Sequence, residues 1–138
     1  MNATAISVEV IIDAPIKKVW EYFTTPEHVM QWNQATEDWH TPKAANDLIV
    51  GGSFSYTMAA KDESFSFEFS GIYEEVELHK LITYTLSDGR HVAIKFENDE
   101  DGIKVTETFE PEGENPIAVQ KTGWQMILDN FQKYTENN

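Results

Sequence analysis

One acidic residue stands among apolar neighbours where a strand is expected. In "KVTETF", Glu107 shares a face with Val105 and Phe109. If that face points inward, a carboxylate leaves water, its pKa rises, and it becomes a candidate acid, base or ligand anchor. The plainer alternative is an edge near solvent, or a reversed strand with Thr106 and Thr108 inward, and the sequence by itself favours it. Rings supply a second kind of chemistry. Tyr56, Phe67, Phe69, Tyr73 and Tyr84 lie in alternating stretches, with Met58 as an adaptable filler. Apolar bodies bearing a few hydroxyls suit a pocket for a small molecule. A core packed solid uses the same residues, and composition alone does not separate the two.

Other chemistries find less support. The four histidines, His28, His40, His79 and His91, form no HxH or HExxH spacing, and no metal site is expected. His40 follows Trp39 and is placed at the border of a cavity mouth. His28 and His79 fall in segments expected to be exposed, and His91 is expected to face outward, opposite Val92 and Ile94. No GxSxG occurs, and no catalytic set follows from spacing. There is no cysteine, which removes disulfides, thiolate metal sites and cysteine nucleophiles. Gly51-Gly52 invites comparison with a phosphate-binding loop. Such loops lead from a strand into a helix N-terminus, whereas this pair precedes the strand Ser53–Met58, and no Lys-Ser/Thr follows. A bend at the entrance of a curved sheet explains the pair without chemistry. No cofactor is expected.

These residues need elements to position them. "ISVEVIID" alternates and reads as a strand. "APIKKVWEYF" then changes period: Ile16, Val19, Trp20 and Phe23 fall on one helical face, with Pro15 suited to the first helical position. "TTPEHVMQW" begins a short second helix, with Thr25 as N-cap and Trp32 near its end. The middle is β. Phe54, Tyr56 and Met58 alternate with Ser53, Ser55 and Thr57, and Phe65, Phe67 and Phe69 alternate with small polar residues. "KLITYTL", "HVAIKF" and "IKVTETF" follow, with Asp88-Gly89 at a hairpin tip. The end is helical, with Asn115 as cap and Pro116 at the first position. Trp124, Ile127, Leu128, Phe131 and Tyr134 form one stripe. The order is one strand, two helices, roughly six strands and a long last helix, an α+β arrangement in one domain over residues 1–138. Gly123 sits inside that last helix, where glycine costs about 1 kcal/mol against alanine. Either the helix closely approaches a strand there, which is the favoured reading, or room is left for a ligand.

Ten basic and 24 acidic residues give a net charge of −14. Such a surface repels phosphate backbones and anionic lipid heads, so neither nucleic acid nor membrane is an expected partner. Eight of the acids lie between Glu97 and Glu114, with Lys104 the one base among them; this reads as a solvated acidic edge, or else a docking patch for a basic protein. Hydrophobic residues make up 41%, which fits a folded chain. No stretch approaches a membrane span, and the start, MNATAISVEV, lacks the layout of a signal peptide, so a cytoplasmic location is expected.

Four segments resemble one family. "DLIVGGSFSYTM" is similar to the Asp-Leu-x-Val-Gly-Gly-x-Phe segment of the AHSA-like branch (activator of heat-shock chaperone ATPase homologue) of the START/SRPBCC (Bet v-like) superfamily. "IIDAPIKKVWEYFTTPEHVMQWN" resembles that branch's opening, through Ala14-Pro15, Val19-Trp20, Pro26-Glu27 and Trp32. "SGIYEEVELHKLITYT" resembles its Gly-x-Tyr-x-Glu-Val strand through Gly71, Tyr73, Glu75 and Val76. "TGWQMILDNFQKY" resembles its final helix through Gly123, Trp124 and Leu128. The resemblance spans nearly the whole chain. Position 49 departs from it, being Ile where relatives often carry Arg. The chaperone-activating members use an additional N-terminal domain that these residues do not contain, so chaperone activation is not carried over.

The resemblance implies a helix-grip fold, with a curved antiparallel sheet wrapped around a long C-terminal helix and a cavity between them. It implies a small hydrophobic or amphipathic ligand. The residues expected to line that cavity are Trp32, Trp39, His40, Tyr56, Met58, Phe67, Phe69, Tyr73, Tyr84, Glu107, Trp124 and Leu128. The first functional expectation is a binding module without catalysis. The second is a cyclase- or hydrolase-type enzyme using Glu107 or His40, and the third is a protein-interaction module acting through the acidic edge. A homodimer is left open.

Overall fold

The computed structural model describes residues 5–138; residues 1–4, part of the stretch read above for a signal peptide, lie outside the described residues. Strand β1 (Ile6–Ile12) is followed by α1 (Ile16–Thr24) and α2 (Pro26–Trp32). Six strands come next: β2 (Trp39–Asn46), β3 (Ser53–Ala60), β4 (Ser66–Glu77), β5 (Leu81–Leu86), β6 (His91–Asp99) and β7 (Gly102–Phe109). Helix α3 (Ile117–Asn137) ends the chain. The strands form one sheet in the order β1-β7-β6-β5-β4-β3-β2, each neighbour antiparallel. From β2 to β7 the chain runs hairpin to hairpin, and α1 and α2 carry it from one sheet edge to the other. The curled sheet and its long terminal helix make an α+β helix-grip fold.

Alternation sets the inner face. In β1 the buried residues are Ile6, Val8, Val10 and Ile12, and in β7 they are Ile103, Val105, Glu107 and Phe109. Irregular register between Tyr73 and Glu75 in β4, and between His40 and Lys43 in β2, marks bulges that help the sheet curl.

Helix α3 packs tightly along its second half. Leu128, Phe131 and Thr135 are fully buried there. The Phe131 ring lies 4.8 Å from Trp32 and 5.1 Å, edge-on, from Phe23. Side chains of α3 also cover the edge strand β1. Gln125 Nε2 donates to the Glu9 carbonyl at 3.0 Å, Gln132 Nε2 donates to that of Ile11 at 2.6 Å, and Glu136 accepts from the Asp13 amide at 2.9 Å. These bonds satisfy edge groups that would otherwise offer themselves to another chain. At the far edge, β2 is tied to α2 by Thr41 Oγ1, which donates to the Asn33 carbonyl at 2.7 Å.

Several local readings shift. Pro15 and Pro116 are extended N-cap residues, not first helical residues, and Asn115 lies one position before the cap of α3. Residues 39–46 form a strand that alternation does not reveal, because β2 is an edge strand interrupted by a bulge. Residues 66–77 are one long strand, and Phe65 precedes it, exposed. The acidic run is not one edge. Glu97, Asp99, Glu100 and Asp101 sit at the β6–β7 turn, Glu110, Glu112 and Glu114 follow the other end of β7, and Glu107 points inside. A strand of that length separates the two groups by about 25 Å.

Candidate functional site

Toward its first half, α3 stands away from the sheet and leaves a cavity of about 260 Å³. Gln120, Trp124 and Ile127 line it from the helix, one face at successive turns. Tyr56 and Met58 line it from β3, Phe67, Phe69 and Tyr73 from β4, Tyr84 from β5 and Glu107 from β7. Trp32 and Asn33 close the end near α2. Phe67 lines the cavity yet is 42% exposed, which puts the mouth beside the β3–β4 hairpin. Gly123 shares the cavity-facing side of α3, and a Cβ added there meets nothing within 4 Å. Close approach to a strand is therefore not why glycine stands there, contrary to the favoured sequence reading.

Rings hold the wall. Trp124 stacks on Phe109 with centroids 4.0 Å apart and planes 8° from parallel, and Phe69 meets Trp124 edge-on at 6.0 Å. Phe54 packs against Tyr84, Tyr56, Tyr73 and Phe69 at 4.7 to 5.8 Å. The phenols are kept neutral. Burial pushes Tyr84 well above the usual range, with Glu107 adding to the rise, and burial does the same to Tyr56, reinforced by Tyr73. Tyr73 rises less, because hydrogen bonds from Asn46 and Tyr56 oppose its burial.

Glu107 is inside, which overturns the outward reading favoured on sequence. It is 7% exposed, and among the described residues its carboxyl makes no hydrogen bond or ion pair. Burial raises its pKa to about 8, so at neutral pH it is mostly a carboxylic acid. The facing is fixed by register: Glu107 lies opposite Val8 on β1 and Ile94 on β6, both inward.

Three expected residues are not part of the lining. Trp39 sits on β2, edge-on to Phe65 and Phe67 at 6.2 and 6.0 Å, outside the cavity wall. His40 pairs with Ala59 on the same edge strand. Leu128 faces the sheet where α3 is packed tight. The two exposed-histidine expectations also change: His28 Nδ1 is 2.6 Å from the Tyr134 hydroxyl, and His79 packs edge-on to Trp20 at 5.9 Å. His91 is exposed, as expected.

The structure adds a polar end. Arg90, Glu112 and Gln120 line the cavity near the start of α3. Arg90 Nε donates to Asp88 at 2.8 Å, and Nη1 donates to the Glu110 carbonyl at 3.4 Å. Gln120 Nε2 donates to the carbonyls of Glu112 and Asn115 at 3.0 and 2.8 Å, and its oxygen accepts from the Glu112 amide at 2.9 Å. It clamps the loop before α3. Parity with Val92 and Ile94 could have found Arg90, and the one-turn spacing from Trp124 could have found Gln120. Glu112 lies in a loop, where no period exists.

The glycine pair is occupied. The Gly51 amide donates to the Tyr73 carbonyl at 2.8 Å, the Gly52 amide to that of Ile49 at 2.9 Å, and the Gly52 carbonyl accepts from Tyr73 at 2.9 Å. With both amides engaged there is no cradle for phosphate, and the pair aligns β3 with β4. Gly51 has φ +85°, which glycine adopts without strain. Among the described residues no three of His, Asp and Glu converge on a point that would hold a metal ion, and no helix is long and apolar enough to cross a membrane.

With this geometry in place, the comparisons with other proteins are specific. The family model described as activator of Hsp90 ATPase homolog 1-like protein matches residues 13–136. The chain is similar to a protein from Cytophaga hutchinsonii of known solution structure, with 50% identity, 99% of this chain and 94% of that one covered, and a TM-score of 0.85. It is also similar to the AHSA1-like protein from Aeromonas hydrophila, with 41% identity, 96% and 92% covered, and a TM-score of 0.90. A Nitrosomonas europaea protein shares the fold at 17% identity, with 99% and 97% covered and a TM-score of 0.83. No curated protein matches the chain. Grip fold, family-model match and structural relatives agree, and the chain belongs to the activator of Hsp90 ATPase homolog 1-like family, the AHSA-like branch of the START/SRPBCC superfamily.

Proposed function

We propose that the protein is a binding module for a small hydrophobic or aromatic molecule, held between the sheet and the first half of α3. One observation carries this reading: about 260 Å³ of ring-lined space is left unfilled beneath a helix whose second half is fully packed. An unfilled apolar space is costly to a fold, so filling it with a guest is favourable. Burial of the guest contributes about 25 cal/mol per Å² of apolar surface before the entropic cost of association.

Thermal shift with neutral flavonoid-like and fatty-alcohol-like probes tests the proposal. A binding probe at about a hundred times its Kd stabilises the fold by about 2.7 kcal/mol. Trp124→Ala, which removes the indole from the wall, abolishes that shift. A shift of equal size in the variant places the guest elsewhere and defeats the reading.

One observation favours a second reading. With a pKa of about 8, Glu107 is poised as a general acid at neutral pH, as a cyclase- or hydrolase-type enzyme would need. His40 drops out of that scheme, since it does not line the cavity. Turnover that Glu107→Gln abolishes while guest binding persists would establish it.

A further inference from the structure

The identity of the guest can be narrowed from the charges on the cavity wall; this step rests on the binding reading above. Three charged residues line the cavity: Arg90, Glu107 and Glu112. Arg90 already has Asp88 and the Glu110 carbonyl. Glu112 accepts the amides of Asn115 and Glu114 at 2.7 and 3.2 Å, which hold it below the usual carboxylate range. Glu107 has no partner among the described residues.

Its surroundings supply none. Across the sheet stand Val8 and Ile94, and along β7 stand Val105 and Phe109. From β5 the facing titratable group is Tyr84, and Tyr56 on β3 and Tyr73 on β4 complete the phenols of the cavity. From α3 the lining residues are Gln120, Trp124 and Ile127, none of which carries charge. Gln120 is fully engaged with the loop before α3. The arrangement is a carboxyl group 93% withdrawn from solvent, open to a ring-lined cavity whose one cation among the described lining residues, Arg90, is engaged by Asp88 and the Glu110 carbonyl. A missing counter-charge is what that arrangement describes. The π-faces of tyrosine, phenylalanine and tryptophan favour the same sign of guest. So does the molecule as a whole, whose net charge of −14 concentrates cations at its surface.

We propose that the guest is an organic cation, an amine or quaternary ammonium compound with an apolar body, whose charged head pairs with the Glu107 carboxylate while the body fills the ring-lined space.

The proton balance follows. Free Glu107, with a pKa near 8 from burial, is mostly protonated at pH 7, and a cation binds the carboxylate form. Binding therefore releases about 0.9 proton at pH 7, and affinity for a permanent cation rises about tenfold from pH 7 to pH 9. A guest that instead accepts a hydrogen bond from the acid form loses affinity over the same interval.

The test uses benzyltrimethylammonium and its neutral carbon isostere neopentylbenzene, titrated into the full chain at pH 7, 8 and 9 with protein-observed NMR. The expected result is tighter binding of the cation, growing about tenfold across that range. Glu107→Gln, a near-isosteric change, removes both the preference and the pH dependence while still binding the isostere. Equal affinities in the wild type, untouched by Glu107→Gln, overturn the cation proposal and leave the cavity reading standing. Neutral-guest affinity that falls through pH 8, with a silent cation, also overturns it, and assigns Glu107 as a hydrogen-bond donor. If neither probe binds, the cavity reading fails, and this inference fails with it.

Discussion

At position 107 a carboxyl group is held out of water with nothing to pair it, so the fold carries it at a cost that depends on pH. Its pKa rises from the ordinary 4.5 to about 8. A raised carboxyl contributes its full stability when protonated in both states, below about pH 4.5, and loses it as pH climbs toward 8. The loss by pH 7 is on the order of 3 kcal/mol. Glu107→Gln removes the group that must titrate. The variant should therefore be little changed in stability near pH 4.5 and increasingly more stable than wild type up to about pH 8, above which the gain levels off. Denaturant melts of both proteins between pH 4.5 and 9 check this. A constant difference across the range would mean that Glu107 is not withdrawn from water. Alternation reveals which residues share a face with Glu107 but not which face is inward. Two interior neighbours in the paired strands, Val8 on β1 and Ile94 on β6, settle it, and such pairing is a long-range fact.

Helix α3 is two half-helices in function. Its second half is pinned by Leu128 and Phe131 and by the Gln132 bond to the edge of β1. Its first half presents Gln120, Trp124 and Ile127 to open space. Gly123 lies between these contacts with room for a methyl group. Gly123→Ala should stabilise the protein by about 1 kcal/mol, raising Tm by roughly 3–5 °C, through helix propensity alone. A destabilised Gly123→Ala would show that the helix and sheet meet there after all. At this scale the chain was largely readable. Periodicity located α1, α2, α3 and most strands, because their burial is one-sided. It missed β2, whose Pro42, Lys43 and Ala44-Ala45 carry no alternating signal, and whose pairing with β3 and packing under α2 make it a strand. Trp39 and His40, expected at the cavity from the resemblance, lie on this strand outside the lining, beside the bulge between His40 and Lys43.

For the molecule as a whole, the distribution of charge and of empty space decide what can bind. Glu107 aside, the acidic residues between Glu97 and Glu114 form two separate groups at opposite ends of β7, not a single face, so a docking surface for one basic partner has less to recommend it than their closeness in sequence suggests. The ring-lined cavity lies under the first half of α3. Family resemblance made a cavity an expectation; its position, its polar end at Arg90 and Gln120, and the lone carboxyl on its wall required the tertiary arrangement. A binding role requires that space to admit a guest. Methyl-labelled NMR with a neutral aromatic probe such as neopentylbenzene tests it most directly. Saturating probe should shift the methyl signals of Met58, Ile82 and Ile127, which line the cavity, and leave those of Ile12 and Leu128, in the packed core, in place. No shift at saturation, or shifts confined to the outer face of the sheet at Ile72, would contradict it.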